Sequence, residues 1–202
     1  MTLYTMSPEE LRRVYETDLQ EAFPPSELKP LFAMEELRTK GIYDPLCFVD
    51  ENGETLGYVL LWRHENGQYV LIDYLCVPSR KRNGGIGTAL LSAMQAHYPP
   101  ETVFLWESEA PIGDAEQDEI ILRRLGFYQC CGAKVLNYDC ALFGVHFKTL
   151  CIAPERVSEQ EILQKHQEIY LHHFGQTRYD QFIQIPLLPG EAPFPITDWT
   201  EE

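Results

Sequence analysis

Leu71-Ile72-Asp73-Tyr74-Leu75-Cys76-Val77-Pro78-Ser79-Arg80-Lys81-Arg82-Asn83-Gly84-Gly85-Ile86-Gly87 is the stretch that decides the architecture of this chain. Residues 69–77 are almost wholly apolar, the pattern of a strand buried on both faces of a covered sheet. Asp73 is the one residue that breaks it. Pro78 ends the strand, and a basic turn leads through clustered glycines into a helix with Leu90, Leu91 and Met94 on one face. Glycines at a helix start let backbone N–H groups approach an anion without a Cβ in the way. Arg80-Lys81-Arg82 is the only run of three basic residues in the chain, and it abuts those glycines. A phosphate-binding loop is the reading that accounts for both. A dinucleotide fingerprint starting at Gly85 would need a small residue where Leu90 stands, and a P-loop would need a lysine where Thr88 follows Gly87.

Upstream, Ser7-Pro8-Glu9-Glu10 forms a capping box, and Leu11, Val14, Tyr15, Leu19 and Phe23 recur at helical spacing until Pro24-Pro25. Ser26 is expected to open a second helix ending near Gly41. A meander follows, with strands at 46–50, 55–64 and 69–77 joined at Asn52-Gly53 and Asn66-Gly67. Downstream of the loop helix we expect a strand at 102–107, a helix at 114–131 and strands at 133–142 and 145–152. A second capping box, Ser158-Glu159-Gln160-Glu161, opens a helix through Phe174. Residues 178–187 are expected to form a last strand. Pro186, Pro189, Pro193 and Pro195 then point to an extended or disordered tail. The expected class is α/β, a mixed, mostly antiparallel central sheet flanked by helices, with a C-terminal helix and strand extension. Its domains are 1–152, an extension at 153–187 packed on it, and a Pro-rich acidic tail at 188–202.

The 202 residues carry 31 acids against 16 bases, a formal charge of −15. Neutralising phosphates needs a basic face, so general nucleic-acid binding is excluded, and docking on anionic lipid with it. Such a surface attracts a cationic amine. Six cysteines lie without a C-x-x-C pair, so no metal site is expected. The first residues lack a signal-peptide core and no run of about 18 apolar residues occurs. The chain therefore reads as cytoplasmic with reduced thiols.

Arg82-Asn83-Gly84-Gly85-Ile86-Gly87 is an R-x-x-G-x-G loop, and here the sequence resembles the GNAT acyltransferase superfamily, whose coenzyme A pyrophosphate loop has that form after a central strand. The element order over residues 1–152 matches as well. The resemblance is nearest to bacterial members with a Leu-Leu-Asp-Tyr-Leu-Ala-Val-like central strand, a Glu-x-Glu strand end and a late Phe-Gly-Val turn. Here these are residues 71–77, Glu107-Ser108-Glu109 and Phe143-Gly144-Val145. The resemblance implies an N-acetyltransferase using acetyl-CoA without a metal. Leu75, Cys76 and Val77 would pair with the pantetheine arm, and Arg82, Asn83, Gly84, Gly85, Ile86, Gly87 and Thr88 would hold the pyrophosphate.

The family's tyrosine proton donor precedes a Gly-Phe pair by four residues. Using Gly126-Phe127 puts Leu122 at that position; the register we prefer uses Gly132-Ala133 and puts Tyr128 there. It departs from the family at Ala133, where an aromatic is usual, and at Ile121, where an asparagine often stands. Amide formation needs a base to free the amine lone pair, a donor for the thioester oxygen and an acid for the leaving thiolate. The implied roles are Glu107 as base with Asp73 second, the Leu75 amide as oxyanion donor, and Tyr128 as acid. Phe23, Glu27 and Glu109 would face the acceptor, as would the turn at 139–144. Each has a plainer reading: Asp73 as a structural carboxylate, Glu107 as an ammonium attractor, Tyr128 as a core aromatic. Asp114, Glu116, Asp118 and Glu119 read first as a helix-start charge cluster, and His146, His172 and His173 as surface or packing residues. Two rival functions remain: a non-catalytic acyl-CoA-binding sensor, and an interaction module in which residues 153–202 bind a partner or a second copy as a homodimer.

Overall fold

The computed structural model describes residues 1–82 and 84–197. Two compact units meet in sequence between Thr102 and Val103. Asn83 and the final acids of the tail lie outside the described residues. No helix among those described is long and apolar enough to cross a membrane.

The first unit carries strands β1 (Thr2–Thr5), β2 (Tyr43–Val49), β3 (Thr55–Arg63) and β4 (Tyr69–Cys76), antiparallel in that order. Its helices are α1 (Pro8–Val14), α2 (Gln20–Ala22), α3 (Leu31–Thr39) and α4 (Ile86–His97), with a π-helical turn, Tyr15–Leu19, joining the first two. The Ser7 capping box forms as the sequence demands, each partner bonding the other's backbone N–H. Successive residues of β3 point to opposite faces. A Cβ on Gly57 would meet Leu90 of α4, whereas Tyr58 on the other face donates to Asp18 in the π-helical turn. Apolar residues fill both faces of β3 and β4, as the unbroken pattern of 69–77 required.

The second unit carries β5 (Val103–Glu109), β6 (Lys134–Leu142), β7 (Val145–Ile152) and β8 (Ile183–Leu187), paired antiparallel in the order β5-β7-β6-β8. Helix α5 (Ala115–Cys130) packs on β5, and α6 (Glu159–Phe182) packs on β6 and β8. The expected class, mixed α/β with mostly antiparallel strands flanked by helices and a C-terminal helix and strand, is the one observed.

Three expectations need correction. A short strand, β1, precedes α1; its four residues carry too little periodicity to announce themselves. The second helix starts at Leu31 rather than Ser26, because Pro30 disfavours helical geometry at Lys29 and that side chain turns inward. The helix expected to stop at Phe174 kinks at Gly175, whose φ of 70° is non-helical, and resumes to Phe182, so the last strand is only Ile183–Leu187. Residues 188–197 run without helix or strand, as an extended segment held by hydrogen bonds. Gln184 bonds the Ala192 carbonyl and the Phe194 N–H, and Thr197 N–H donates to the Phe143 carbonyl.

Candidate active site

In the first unit the decisive strand carries a β-bulge. Leu60 pairs with Tyr74 and Leu61 with Ile72, so Asp73 is the extra residue on β4. A bulge breaks alternation and re-aims side chains. Asp73 and Tyr74, neighbours in sequence, both reach the connector at residues 23–30. Lys29 Nζ lies 3.0 and 2.9 Å from the two Asp73 carboxylate oxygens, and Tyr43 OH donates to Oδ2 at 2.6 Å. Tyr74 OH accepts from the Lys29 N–H and donates to the Glu27 carbonyl. The Lys29 ammonium also sits 4.0 Å above the Trp62 ring, and its side chain is 1% exposed against 5% for Asp73. Burial, then the Asp73 charge, push the Tyr43 and Tyr74 phenols well above their ordinary value. Phe23 stacks edge-on against Tyr74 at 5.0 Å. Asp73, Phe23 and Glu27 are thus brought together around the connector. Sequence reasoning had no signal for Lys29 or Tyr43, since both face inward only through long-range packing.

Beyond the bulge, Leu75 and Val77 are half-buried while Cys76 is buried, its thiol pushed up to about 11 by desolvation. A 3-10 turn, Ser79–Lys81, then delivers the loop. Arg82 Nε donates to the Val77 carbonyl at 3.0 Å, tying the loop back to the strand end. Arg80 lies 3.7 Å from Asp18, and Lys81 pairs with Glu54. Gly85 caps α4 at φ 73°, a conformation only glycine adopts without strain, and with no side chain it leaves its own cap position open. The first helical bond is Ala89 N–H to the Gly85 carbonyl. The N–H groups of Ile86 and Gly87 precede it, at the positive end of the helix dipole.

In the second unit Glu107 and Trp106 occupy successive positions of β5 and face opposite ways. The Tyr128 ring meets Trp106 at 5.2 Å, edge-on, and desolvation raises its phenol. Leu122, the alternative tyrosine position, is 57% exposed. The buried Trp106 Nε1 and Ser108 Oγ, both on the Tyr128 side of β5, have no hydrogen-bond partner among the described residues. A pair of orphaned polar atoms calls for a ligand or water. Glu107 instead points to α6: its Oε1 accepts from His166 Nε2 at 2.7 Å and from Tyr170 OH at 2.9 Å. The structure therefore places Tyr128, on α5, and the Glu107 side chain on opposite faces of β5. Glu109 is paired with Arg124 at 2.6 Å.

Among the described residues, Glu107, Cys140 and His166 form one group of side chains close enough to share a metal ion, their ligand atoms lying within 4.8 Å of one another. His166 was missed by sequence reasoning; its one signal was the inward register it shares with Ile162, Ile169 and Tyr170 along α6. His146 bonds Asp139, which also holds Lys148. Asp114 caps α5 and Asp118 takes the N–H groups of Ile112 and Gly113, so this part of the acidic cluster serves the helix start.

Similarity to known proteins agrees with this geometry. Several solved structures share the fold. A GNAT-family protein from Bacteroides thetaiotaomicron superposes with a TM-score of 0.67 at 18% identity, covering 85% of this chain and 96% of its own. An aminoglycoside 6'-N-acetyltransferase complexed with coenzyme A gives 0.57 at 16%, over 78% and 100%. A chimera of the Vibrio cholerae spermidine N-acetyltransferase SpeG and hSSAT gives 0.56 at 13%, over 76% and 96%. No curated protein matches in sequence. The sequence profile of the Acetyltransferase (GNAT) family matches residues 9–113, more than half of the chain, and takes in the bulged strand, the glycine loop and the start of α4. Because that match spans more than half of the sequence and includes the strand and loop described above, the chain belongs to the GNAT acetyltransferase family.

Proposed function

We propose that this protein is an acyl-CoA-dependent N-acyltransferase, with acetyl-CoA as donor and a small cationic or peptide primary amine as acceptor. The amine attacks the thioester carbon directly, the C–S bond breaks, and the products are an amide and free coenzyme A. The observation that carries this reading is the run from β4 into α4, where Gly85, which has no side chain, holds a left-handed turn at the helix start. On this reading the backbone of Leu75, Cys76 and Val77 pairs with pantetheine, and Arg82, Asn83, Gly84, Gly85, Ile86, Gly87 and Thr88 cradle the pyrophosphate. The Leu75 N–H stabilises the oxyanion.

Tyr128 protonates the leaving thiolate, a role its raised phenol suits because the proton is retained through neutral pH. Glu107 is the preferred base. Because His166 and Tyr170 hold its carboxylate on the face of β5 away from Tyr128, it acts on the amine through a relay such as water rather than beside Tyr128. Reaching Asp73, the second candidate, requires breaking its pair with Lys29. On this reading Phe23, Glu27 and Glu109 are the residues assigned to the acceptor. The acidic composition favours a cation, and the similar structures include spermidine and aminoglycoside N-acetyltransferases. Six free cysteines support a reducing, cytoplasmic setting.

A second reading, a non-catalytic acyl-CoA sensor, is favoured by one fact: Asp73, Glu107 and Glu109 are all already paired within the chain. Thermal shift with acetyl-CoA, followed by coenzyme A release in the presence of amines, separates the two. Ligand at a hundred times its Kd stabilises by about 2.7 kcal/mol, and Gly85→Glu is expected to abolish that shift. A shift with turnover lost in Tyr128→Phe and Glu107→Gln supports the enzyme. A shift without turnover supports the sensor, and no shift rejects both.

A further inference from the structure

We propose that Glu107, Cys140 and His166 form a binding site for a divalent transition metal of the zinc class, independent of the coenzyme A loop. The donor set is the first argument. An imidazole nitrogen, a thiol sulfur and a carboxylate oxygen suit zinc or cobalt, whereas magnesium and calcium demand oxygen ligands.

Geometry is the second. The three ligand atoms lie within 4.8 Å of one another. Zinc bonds of about 2.0–2.3 Å in a tetrahedron set ligand atoms about 3.3–3.6 Å apart. The His166–Glu107 contact, 2.7 Å, therefore has to open by about 0.6 Å. Rotations of side chains are enough for that. The ligands come from β5, β6 and α6, so regular elements rather than loops aim them.

The outer contacts are the third argument. Metal ligands are oriented by hydrogen bonds from a second layer, and here each ligand has a hydroxyl from another residue. Tyr138 OH lies 3.2 Å from His166 Nδ1, Tyr170 OH donates to Glu107 Oε1 at 2.9 Å, and Thr149 Oγ1 lies 3.7 Å from Cys140 Sγ. With Nδ1 occupied by Tyr138, the ring is turned so that Nε2 faces the other two ligands. His166 and Cys140 are fully buried, while the Glu107 side chain is 9% exposed and is the point of entry.

Binding releases one proton, the Cys140 S–H giving way to a metal–sulfur bond. The His166 Nε2 proton is replaced by the metal, and the ring carries its proton on Nδ1, which then donates to Tyr138 OH. The cation offsets the carboxylate beside it. Three protein ligands leave a fourth position for water. An ion here also occupies the Glu107 carboxylate, which takes the proposed base out of use.

The test uses the untagged full chain, stripped with chelator, given one equivalent of zinc or cobalt and passed through gel filtration. We expect one metal per chain by elemental analysis, and with cobalt a thiolate charge-transfer band in the near ultraviolet. Cys140→Ser is expected to lose the band and His166→Gln the stoichiometry, with circular dichroism confirming the fold. Tyr138→Phe, which removes no ligand, is expected to weaken zinc about 10–100-fold. The double variant Cys130→Ser, Cys131→Ser is expected to bind as the parent does. Retention below one per chain, a band that survives Cys140→Ser, or a band lost with Cys130 and Cys131 overturns the proposal. One zinc bound, with acyl transfer that is unchanged by the zinc or by Glu107→Gln, upholds the site while rejecting Glu107 as base. Acyl transfer dependent on Glu107 in a protein that retains no zinc does the reverse.

Discussion

Replacing Lys29 by methionine keeps the length and most of the volume of the side chain and removes its charge. In the parent protein Lys29 is fully buried, both Asp73 oxygens bond its ammonium, and the Trp62 ring lies 4.0 Å beneath it. In the variant Asp73, 5% exposed, keeps only the Tyr43 hydroxyl. Removing one partner of a buried pair leaves the other charge uncompensated and costs about 3–5 kcal/mol. Because each kcal/mol lowers Tm by about 2–4 °C in a chain of this size, the expected drop is about 6–20 °C. Asp73→Asn alone strands the ammonium and is expected to cost a similar amount. The double variant, Lys29→Met with Asp73→Asn, removes both charges and is expected to be more stable than either single one. Thermal and urea unfolding followed by circular dichroism give the three values, and the cycle gives the coupling. A Lys29→Met cost below about 1 kcal/mol, the figure for an exposed pair, refutes the reasoning. So does a double variant whose loss is the sum of the two singles.

Gly57→Ala is expected to destabilise by about 1–3 kcal/mol, because its Cβ would lie 2.9 Å from the Cys76 carbonyl, which is backbone and cannot swing aside; urea unfolding checks it. Gly144→Ala would drive a Cβ to within 2.6 Å of the backbone at Pro195 and Ile196, at a φ of 83°. It is expected to release residues 195–197 and speed their cleavage in limited proteolysis, with the strand melting point little changed. Desolvation raises the folded-state phenols of Tyr43, Tyr74, Tyr98 and Tyr138, and that of Tyr179 to about 12. Their stabilisation is complete below the unfolded tyrosine value of about 10 and is lost as pH rises from there through the folded values. Tm should therefore fall steeply above that pH, with tyrosinate absorbance rising only as the protein unfolds; early, non-cooperative ionisation would contradict it.

Much of the active unit is local in origin and could be read from neighbouring residues. Gly85 stands where a left-handed turn must precede a helix, Ser7 and Glu10 stand three apart at a helix start, and the apolar run at 69–77 excludes an exposed strand. These depend on contacts within a few residues, so period and turn chemistry determine them. The R-x-x-G-x-G loop belongs to the same class, which is why the family was legible before any coordinate. The tail is the converse case: its prolines predict an extended chain, while the Gln184 side chain and the Phe143 carbonyl hold it in place.

What only the tertiary structure decided is the company each carboxylate keeps. The bulge at Asp73 arises from the register of β4 against β3, and it turns Asp73 to a lysine 44 residues away. Glu107 meets His166 across 59 residues. No spacing rule reaches that far, because the pairings follow from how strands and helices stack once apolar faces are buried. Likewise Tyr128 and Glu107 read as partners in the sequence, yet adjacent positions on β5 send their surroundings to opposite faces. Local chemistry thus determined the loop and the family, and packing determined which charges are spent inside the protein and which are left for a ligand.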